Sequence, residues 1–161
     1  MKIHTSVESY LGCRIVGNDE RGWHLKASDG VSDVAFSAGA RVRGTEKLYV
    51  VMHEGEFCYV GRTGQSISGR IREGMVASYP YRWRRRHEVD LHVCFFGRRS
   101  DPDFGEGVEA ELVHLIRQGT KQRPGKWPVD QYEIHFRHHE GVPDPECLKA
   151  ARDIYRELAN A

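Results

Sequence analysis

Four residues in this chain have side chains suited to phosphodiester chemistry. Tyr49 and Tyr59 each lie in a short apolar run, Arg70 follows soon after the second run, and Glu109 comes later in the chain. Phosphodiester hydrolysis needs a water that loses a proton, positive charge at the non-bridging oxygens and a stabilised leaving oxygen. A tyrosine, an arginine and a cation held by a carboxylate supply these requirements, so the sequence favours metal-assisted phosphoryl chemistry.

The two tyrosines are predicted to lie on paired strands. The apolar runs Leu48–Met52 and Phe57–Val60 are separated by His-Glu-Gly-Glu, which has the length and chemistry of a β-hairpin connection. Gly61 follows the second run and lets the backbone turn closely where a side chain would collide. His53, in the connection, is a secondary candidate for catalysis or phosphate contact.

A short helix is predicted after the hairpin, from Ser66 to about Ala77. Ile67, Ile71 and Met75 form an apolar stripe on one face, and Ser66 or Ser68 is a suitable N-terminal cap. The helix carries two basic residues, Arg70 and Arg72.

The remaining chain predicts two further strands and two further helices. Residues 89–96 read as a strand that begins at a sheet edge and becomes buried, and residues 131–136 read as another strand. A helix over residues 105–118 places Glu109 beside its apolar face, at the rim of the core, and residues 119–128 read as loop. A last helix is predicted from Pro145 to Ala159.

The predicted fold is a single α/β or α+β domain over residues 1–161, with a small, mainly antiparallel sheet flanked by helices. Residues 1–46 form a β-rich N-terminal extension with strand-like runs at 13–16 and 34–37. Residues 47–128 form the catalytic core, and residues 129–161 add a strand and a helix.

The order of these elements and residues resembles the GIY-YIG nuclease superfamily over residues 47 to about 128. Lys47-Leu48-Tyr49 keeps the tyrosine of Gly-Ile-Tyr, and Tyr59-Val60-Gly61 is a conservative variant of Tyr-Ile-Gly followed by Arg62-Thr63. Residues 67–71 are similar to the helix segment that carries the catalytic arginine. Residues 108–113 are similar to the metal-binding helix of the family.

The resemblance implies a metal-dependent endonuclease that hydrolyses DNA, either restriction-like or selective for DNA structure. Tyr49 would be the general base or position the water, which requires its pKa to fall toward neutrality, and Tyr59 would share its hydrogen-bond network. Arg70 would bind the scissile phosphate, and Glu109 would hold one Mg²⁺ or Mn²⁺. Glu111 is the rival carboxylate for the metal, although it lies on a different face of the helix.

The sequence departs from the family pattern in two places. The arginine lies one residue further from Tyr59 than is common, which a loop insertion accommodates, and the asparagine usual after the final proline is absent from residues 123–128. The missing asparagine and the first signature, which keeps only its tyrosine, support the second hypothesis, a nucleic-acid-binding module that has kept the fold and lost turnover. A structural domain with a chance resemblance is the third.

Residues 79–87, called here the basic segment, interleave arginines with aromatic residues, a mixture that neutralises phosphates and stacks on bases. Its aromatic side chains could instead pack into the core. The candidate nucleic-acid contacts are Arg62, Arg72, Arg82, Arg84, Arg85, Arg86 and Lys126.

Composition excludes few functions. Lys and Arg number 24 against 23 Asp and Glu, so binding of a polyanion depends on local clusters of charge. The four scattered cysteines indicate reduced thiols, and no apolar run reaches transmembrane length, so a cytoplasmic protein is expected. One active site cuts one strand, so cutting both strands in a single event would need a homodimer.

Overall fold

A five-stranded antiparallel sheet with four helices forms the described part of the chain, an α+β arrangement. The computed structural model describes residues 5–96, 102–121 and 144–160. The strands are β1 (Ser6–Asn18), β2 (Gly22–Lys26), β3 (Lys47–His53), β4 (Glu56–Thr63) and β5 (Glu88–Phe95). The helices are α1 (Ala38–Arg41), α2 (Ile67–Val76), α3 (Pro102–Lys121) and α4 (Pro145–Ala159), with a 3₁₀ turn at Arg82–Arg85. The strand order is β2-β1-β5-β3-β4.

Strand β5 is the central strand, so the prediction that it begins at an edge is wrong. It pairs with β1 on one side and β3 on the other. The polar residues that suggested an edge have partners on β1. Asp90 accepts a hydrogen bond from the Gly12 backbone at 2.8 Å, and His92 Nδ1 lies 2.7 Å from Ser9 Oγ.

The N-terminal residues join the main sheet through β1. The predicted run at 13–16 is part of β1, as expected, but the run at 34–37 is not a strand. It leads instead into α1, where the Ser37 side chain accepts a hydrogen bond from Ala40 N. A serine with a short side chain favours this capping role over a strand position.

The sheet separates two apolar layers. On one face, α3 and α4 cover the buried side chains of Leu48, Val50 and Cys94. On the other face, α2 covers Tyr49 and Leu91. Alternate residues of each strand point to opposite faces, so β3 contributes to both layers.

The predicted helices are present with small changes in their ends. Helix α2 is capped by Ser66, whose Oγ accepts from Gly69 N at 3.2 Å, and α4 matches its predicted range. Helix α3 continues to Lys121, so the prediction of loop at residues 119–121 is wrong. The rest of that loop, residues 122–128, and the predicted strand at 131–136 lie outside the described residues.

Within the described ranges, no helix combines the length and apolar character that a membrane crossing requires.

Replacing Leu112 by alanine tests the layer beneath α3. Leu112 is fully buried, so Leu112→Ala should lower the free energy of unfolding by about 2–5 kcal/mol because it removes contacts and leaves a cavity. Val76, at the end of α2, is 63% exposed, and Val76→Ala should change stability by less than about 0.5 kcal/mol. Urea denaturation followed by circular dichroism measures both. Equal effects of the two substitutions would contradict this placement of the core.

Candidate active site

The first part of the site is a tyrosine that lies across a glycine on the neighbouring strand. Tyr49 on β3 pairs with Gly61 on β4, and its side chain is fully buried. A Cβ atom on Gly61 would lie 2.5 Å from Tyr49 Cζ and 2.7 Å from Tyr59 Cε1. Only glycine at position 61 leaves room for both rings.

A third tyrosine completes a hydrogen-bonded and stacked group, called here the tyrosine network (Tyr49, Tyr59 and Tyr81). The hydroxyls of Tyr49 and Tyr81 lie 2.8 Å apart. Tyr59 stacks on Tyr49 with ring centroids 5.8 Å apart and meets Tyr81 edge-on at 5.0 Å. Tyr81 in turn packs on Gly74 of α2, where a Cβ would lie 1.9 Å from its ring.

Helix α2 brings Arg70 to the tyrosine network. The Arg70 guanidinium interacts electrostatically with Tyr49, Tyr81 and Tyr59, and it pairs weakly with Glu73 at 3.9 Å. Its side chain is 36% exposed. One cationic group thus lies beside buried hydroxyls and still reaches solvent, which suits contact with a phosphate.

The electrostatics of Tyr49 are opposite to the sequence expectation. Burial raises the pKa of Tyr49 well above its usual value, and neighbouring Tyr59 and Tyr81 raise it further, while Arg70 acts to lower it. Burial also raises the pKa of Tyr59, and it raises the pKa of Tyr81 to about 12. The hydroxyl of Tyr49 is therefore protonated at neutral pH in this state and acts as a hydrogen-bonding group.

The second part of the site is a set of carboxylates around one arginine, called here the carboxylate cluster (Glu46, Glu106 and Glu109). Arg62 on β4 pairs with Glu46 at 2.7 Å, with Glu109 at 3.3 Å and with Glu106 at 3.8 Å. Glu106 and Glu109 project from α3, and Glu46 immediately precedes β3. With all four groups ionised, the negative charges outnumber the positive one.

Glu109 has the perturbed acidity expected of a functional carboxylate. Burial raises its pKa to about 7, and Glu106 and Glu46 add to this rise, while Arg62 opposes it. The charge of Glu109 also acts on Tyr59, whose pKa it raises. Perturbed carboxylates of this kind are typical of functional sites.

The carboxylate cluster offers oxygen donors of the kind that a hard divalent cation such as Mg²⁺ or Mn²⁺ takes. Oxygen ligands are those that magnesium prefers, and one or two carboxylates with water are usual for it. Glu46 Oε2 is buried without a hydrogen-bond partner, so the cluster has more acceptor capacity than Arg62 satisfies. Among the described residues, no group of three or more His, Cys, Asp or Glu side chains is placed so that it could hold a metal ion.

The secondary candidates lie away from this site. His53 ends β3, where its Nδ1 lies 2.7 Å from the Glu88 carbonyl oxygen, four residues along the strand from Tyr49. Glu111 lies further along α3 and is not among the carboxylates paired with Arg62. Of the two rival carboxylates, Glu109 is the one that pairs with Arg62.

The basic segment divides into inward and outward residues. Trp83 and Tyr81 are buried, whereas Tyr79 is 96% exposed. Arg84 turns inward: it donates to the Met75 carbonyl and to Asp19, both at 2.7 Å. Arg85 is 67% exposed.

The other candidate nucleic-acid contacts are also distributed. Arg62 is used inside the carboxylate cluster, while Arg72 and Arg82 are exposed and Arg86 is half-buried. Lys126 lies outside the described residues. Three exposed residues lie close in sequence to Tyr81 of the tyrosine network: Tyr79, Arg82 and Arg85.

Sequence reasoning missed Glu46 and Glu106 and gave Tyr81 no role in the site. The residues next to these three in the sequence form no pattern that indicates a functional role. The one available signal was Gly105, since a glycine inside an apolar-striped helix indicates close approach of another group. In the structure a Cβ there would lie 2.5 Å from the Glu46 carboxylate carbon.

No protein-family model, no curated protein and no solved structure matches this chain.

Gly61→Ala should destabilise the protein by about 1–3 kcal/mol, because the added methyl group overpacks the ring of Tyr49. Gly64, just after β4, is the matched control: a Cβ there meets nothing within 4 Å. Gly64→Ala should change stability by less than about 0.5 kcal/mol. Thermal denaturation measures both, and equal melting temperatures would show that Tyr49 does not lie against position 61.

Glu109→Gln should stabilise the metal-free protein at alkaline pH. The folded-state pKa of about 7 exceeds the usual 4.5, so ionisation of Glu109 costs stability progressively as pH rises from about 4.5 to 7. Glutamine does not ionise, so the gain should be absent near pH 4 and reach at most roughly 3 kcal/mol at pH 8. Melting temperatures of the variant and the wild type in EDTA, taken across this pH range, measure the gain in stability. A pH-independent difference between variant and wild type would contradict a raised pKa.

Proposed function

We propose that the protein is a metal-dependent DNA endonuclease of the GIY-YIG type. The observation that carries the proposal is the pair of neighbouring groups at β4: Tyr49, Tyr59 and Arg70 on the α2 side, and Arg62 with Glu109 on the α3 side. Tyr59 interacts with both Arg70 and Glu109. These electrostatic interactions support the use of the four residues in one phosphodiester site.

The architecture supports the proposal in a second way. Strand β4 is the edge strand next to β3, and adjacent residues on it point to opposite faces. Gly61 lies beneath the tyrosine network, and Arg62 meets the carboxylate cluster. The site therefore straddles one open edge of the sheet, where an extended nucleic-acid backbone can reach both halves.

The roles follow from charge and hydrogen bonding. Arg70, which interacts electrostatically with the tyrosines, would bind the scissile phosphate and stabilise the charge that develops on its oxygens. Tyr49 and Tyr59 would position the attacking water by hydrogen bonds, since their hydroxyls are protonated in this state. Glu109, with Glu46 or Glu106 nearby, would hold the cation. A bound divalent cation neutralises phosphate charge and acidifies coordinated water.

Outside the site, the exposed part of the basic segment would bind flanking DNA. Arg82 and Arg85 would neutralise phosphates, and Tyr79 would stack on a base or sugar. Double-strand cleavage in one event would require a homodimer, because the proposed site cuts one strand.

One observation favours a nucleic-acid-binding module without turnover as the second candidate. The hydroxyl of Tyr49 is buried and bonded to Tyr81, and its pKa is raised, which opposes a role as general base. This candidate predicts salt-sensitive DNA binding that persists in EDTA without cleavage.

The proposal is tested with purified protein on supercoiled plasmid and on linear, single-stranded and branched DNAs, each with Mg²⁺, Mn²⁺ or EDTA. Nicking should require metal. Arg70→Ala and Glu109→Ala should lower the rate by at least about 100-fold, because each removes charge stabilisation in the transition state. Tyr49→Phe should lower it by about 100-fold or more if the hydroxyl positions the attacking water.

Glu111→Ala is the matched control, since it removes a carboxylate from the same helix at a position not paired with Arg62. Its rate should stay within a few-fold of wild type. Undiminished cleavage by Glu109→Ala would exclude the proposed site. Absence of cleavage by wild type on every substrate, with DNA binding retained in EDTA, would establish the second candidate.

A further inference from the structure

A cavity of about 410 Å³ lies beside α2, away from the tyrosine network. Ser68, Ile71, Arg72 and Met75 of α2 line it, whereas Arg70 does not. A residue advances about 100° around a helix, so Arg70 projects from nearly the opposite side to these residues. The cavity and the proposed active site thus lie on two flanks of one helix.

The lining combines an apolar floor with an aromatic wall. Ile71 and Met75 are buried, and Trp23 of β2 and Phe36 stand beside them. Trp23 is held in place, because the Arg84 guanidinium lies 5.0 Å from its ring centroid and its Nε1 donates to Asp19 at 3.1 Å. A preformed apolar cavity of this size with a few polar groups is typical of sites for small ligands.

The charged rim favours an anion. Arg41 and Arg72 both line the cavity and are exposed, and neither forms a salt bridge within the part of the chain that the structure describes. The carboxylate on the rim, Asp33, pairs with Lys26 at 2.8 Å and interacts more weakly with Arg72. Guanidinium groups bind phosphate oxygens with paired hydrogen bonds.

We propose that this cavity binds one unpaired nucleotide, with its base against Trp23 and its phosphate at Arg41 and Arg72. An aromatic wall with two guanidinium groups matches a ligand that has both a flat ring and a phosphate. A base in a duplex is stacked on both faces, so only an unpaired or extruded base can enter.

The assignment of this nucleotide to the substrate strand rests on the proposed function. A strand whose phosphate lies at Arg70 must cross α2, about 10–12 Å wide with its side chains, to reach Arg72. The nucleotide would therefore belong to the substrate strand, a few positions from the scissile phosphate. Such a site selects DNA with unpaired bases.

The binding step is tested with free nucleotides, independently of cleavage. In ¹⁵N-labelled protein, titration with dAMP or dTMP should shift the indole resonance of Trp23 to saturation and leave that of the buried Trp83 unchanged. Adenosine and inorganic phosphate should each bind at least about tenfold more weakly, since each lacks half of the ligand. Shifts absent for all of these probes, or equal at both indoles, would overturn the proposal.

Variants locate the phosphate and the base. Arg41→Ala and Arg72→Ala should each weaken dAMP binding by about tenfold, as expected for loss of one charged hydrogen bond. Arg43→Ala, an exposed arginine outside the cavity lining, should bind dAMP as the wild type does. Trp23→Phe should fold and bind more weakly because it offers less stacking area. Equal affinities of the Arg41, Arg43 and Arg72 variants would overturn the phosphate assignment.

Oligonucleotides test whether the bound nucleotide belongs to a DNA strand. A duplex with a single unpaired base should shift the Trp23 indole, and the fully paired duplex should not. An abasic site in place of the unpaired base should remove the shift. A response to dAMP without a response to the unpaired duplex would overturn the assignment to a substrate strand.

The same experiment separates the two proposals. If the Trp23 response to nucleotides is present but no DNA is cleaved, the nuclease function fails and the nucleotide site stands. If DNA is cleaved but the Trp23 indole never responds, the nucleotide site fails and the nuclease function stands.

Discussion

The contact between Tyr49 and Gly61 is the constraint on which the rest of the site depends. A tyrosine buried in the middle of a sheet needs space for its ring and a partner for its hydroxyl. Gly61 supplies the space, because a Cβ there would collide with the ring. Tyr81 supplies the partner at 2.8 Å, and Tyr81 reaches this position only because Gly74 of α2 also lacks a side chain. Two glycines therefore bring a hairpin, a helix and the basic segment together.

The two faces of the sheet have opposite electrostatic character near this contact. The face beneath α2 holds neutral hydroxyls around the cationic Arg70, while the face beneath α3 holds carboxylates in excess over Arg62. Burial raises the pKa of Glu109 to about 7, so the folded metal-free protein pays a stability cost when this group ionises. Buried carboxylates with a raised pKa are typical of functional sites, so a functional role explains Glu109 better than folding does.

The sequence predicted local elements well and spatial neighbours less well. The β3–β4 hairpin, α2 and α4 follow from apolar periodicity and from caps such as Ser66, which neighbouring residues determine. The position of β5 could not be predicted in the same way, because Asp90 and His92 look solvent-facing until β1 supplies their partners. The roles of Tyr81 and Glu46 could not be predicted for the same reason. Their roles depend on Gly74 and Gly105, and the contact between Glu46 and Gly105 joins residues distant in sequence.

The central position of β5 also governs the order in which the chain can assemble. The β3–β4 hairpin and α2 form from contacts between near neighbours in sequence, whereas β1 pairs with β5 across a long intervening segment, as Tyr10 with Leu91. Long-range strand pairing closes a large loop before it gains contacts, so it is slow. During synthesis, β1 and β2 leave the ribosome before β5, so the hairpin that they form has no neighbouring strand until β5 is available. In that interval the edge of β1 is unpaired, and an unpaired strand edge favours aggregation.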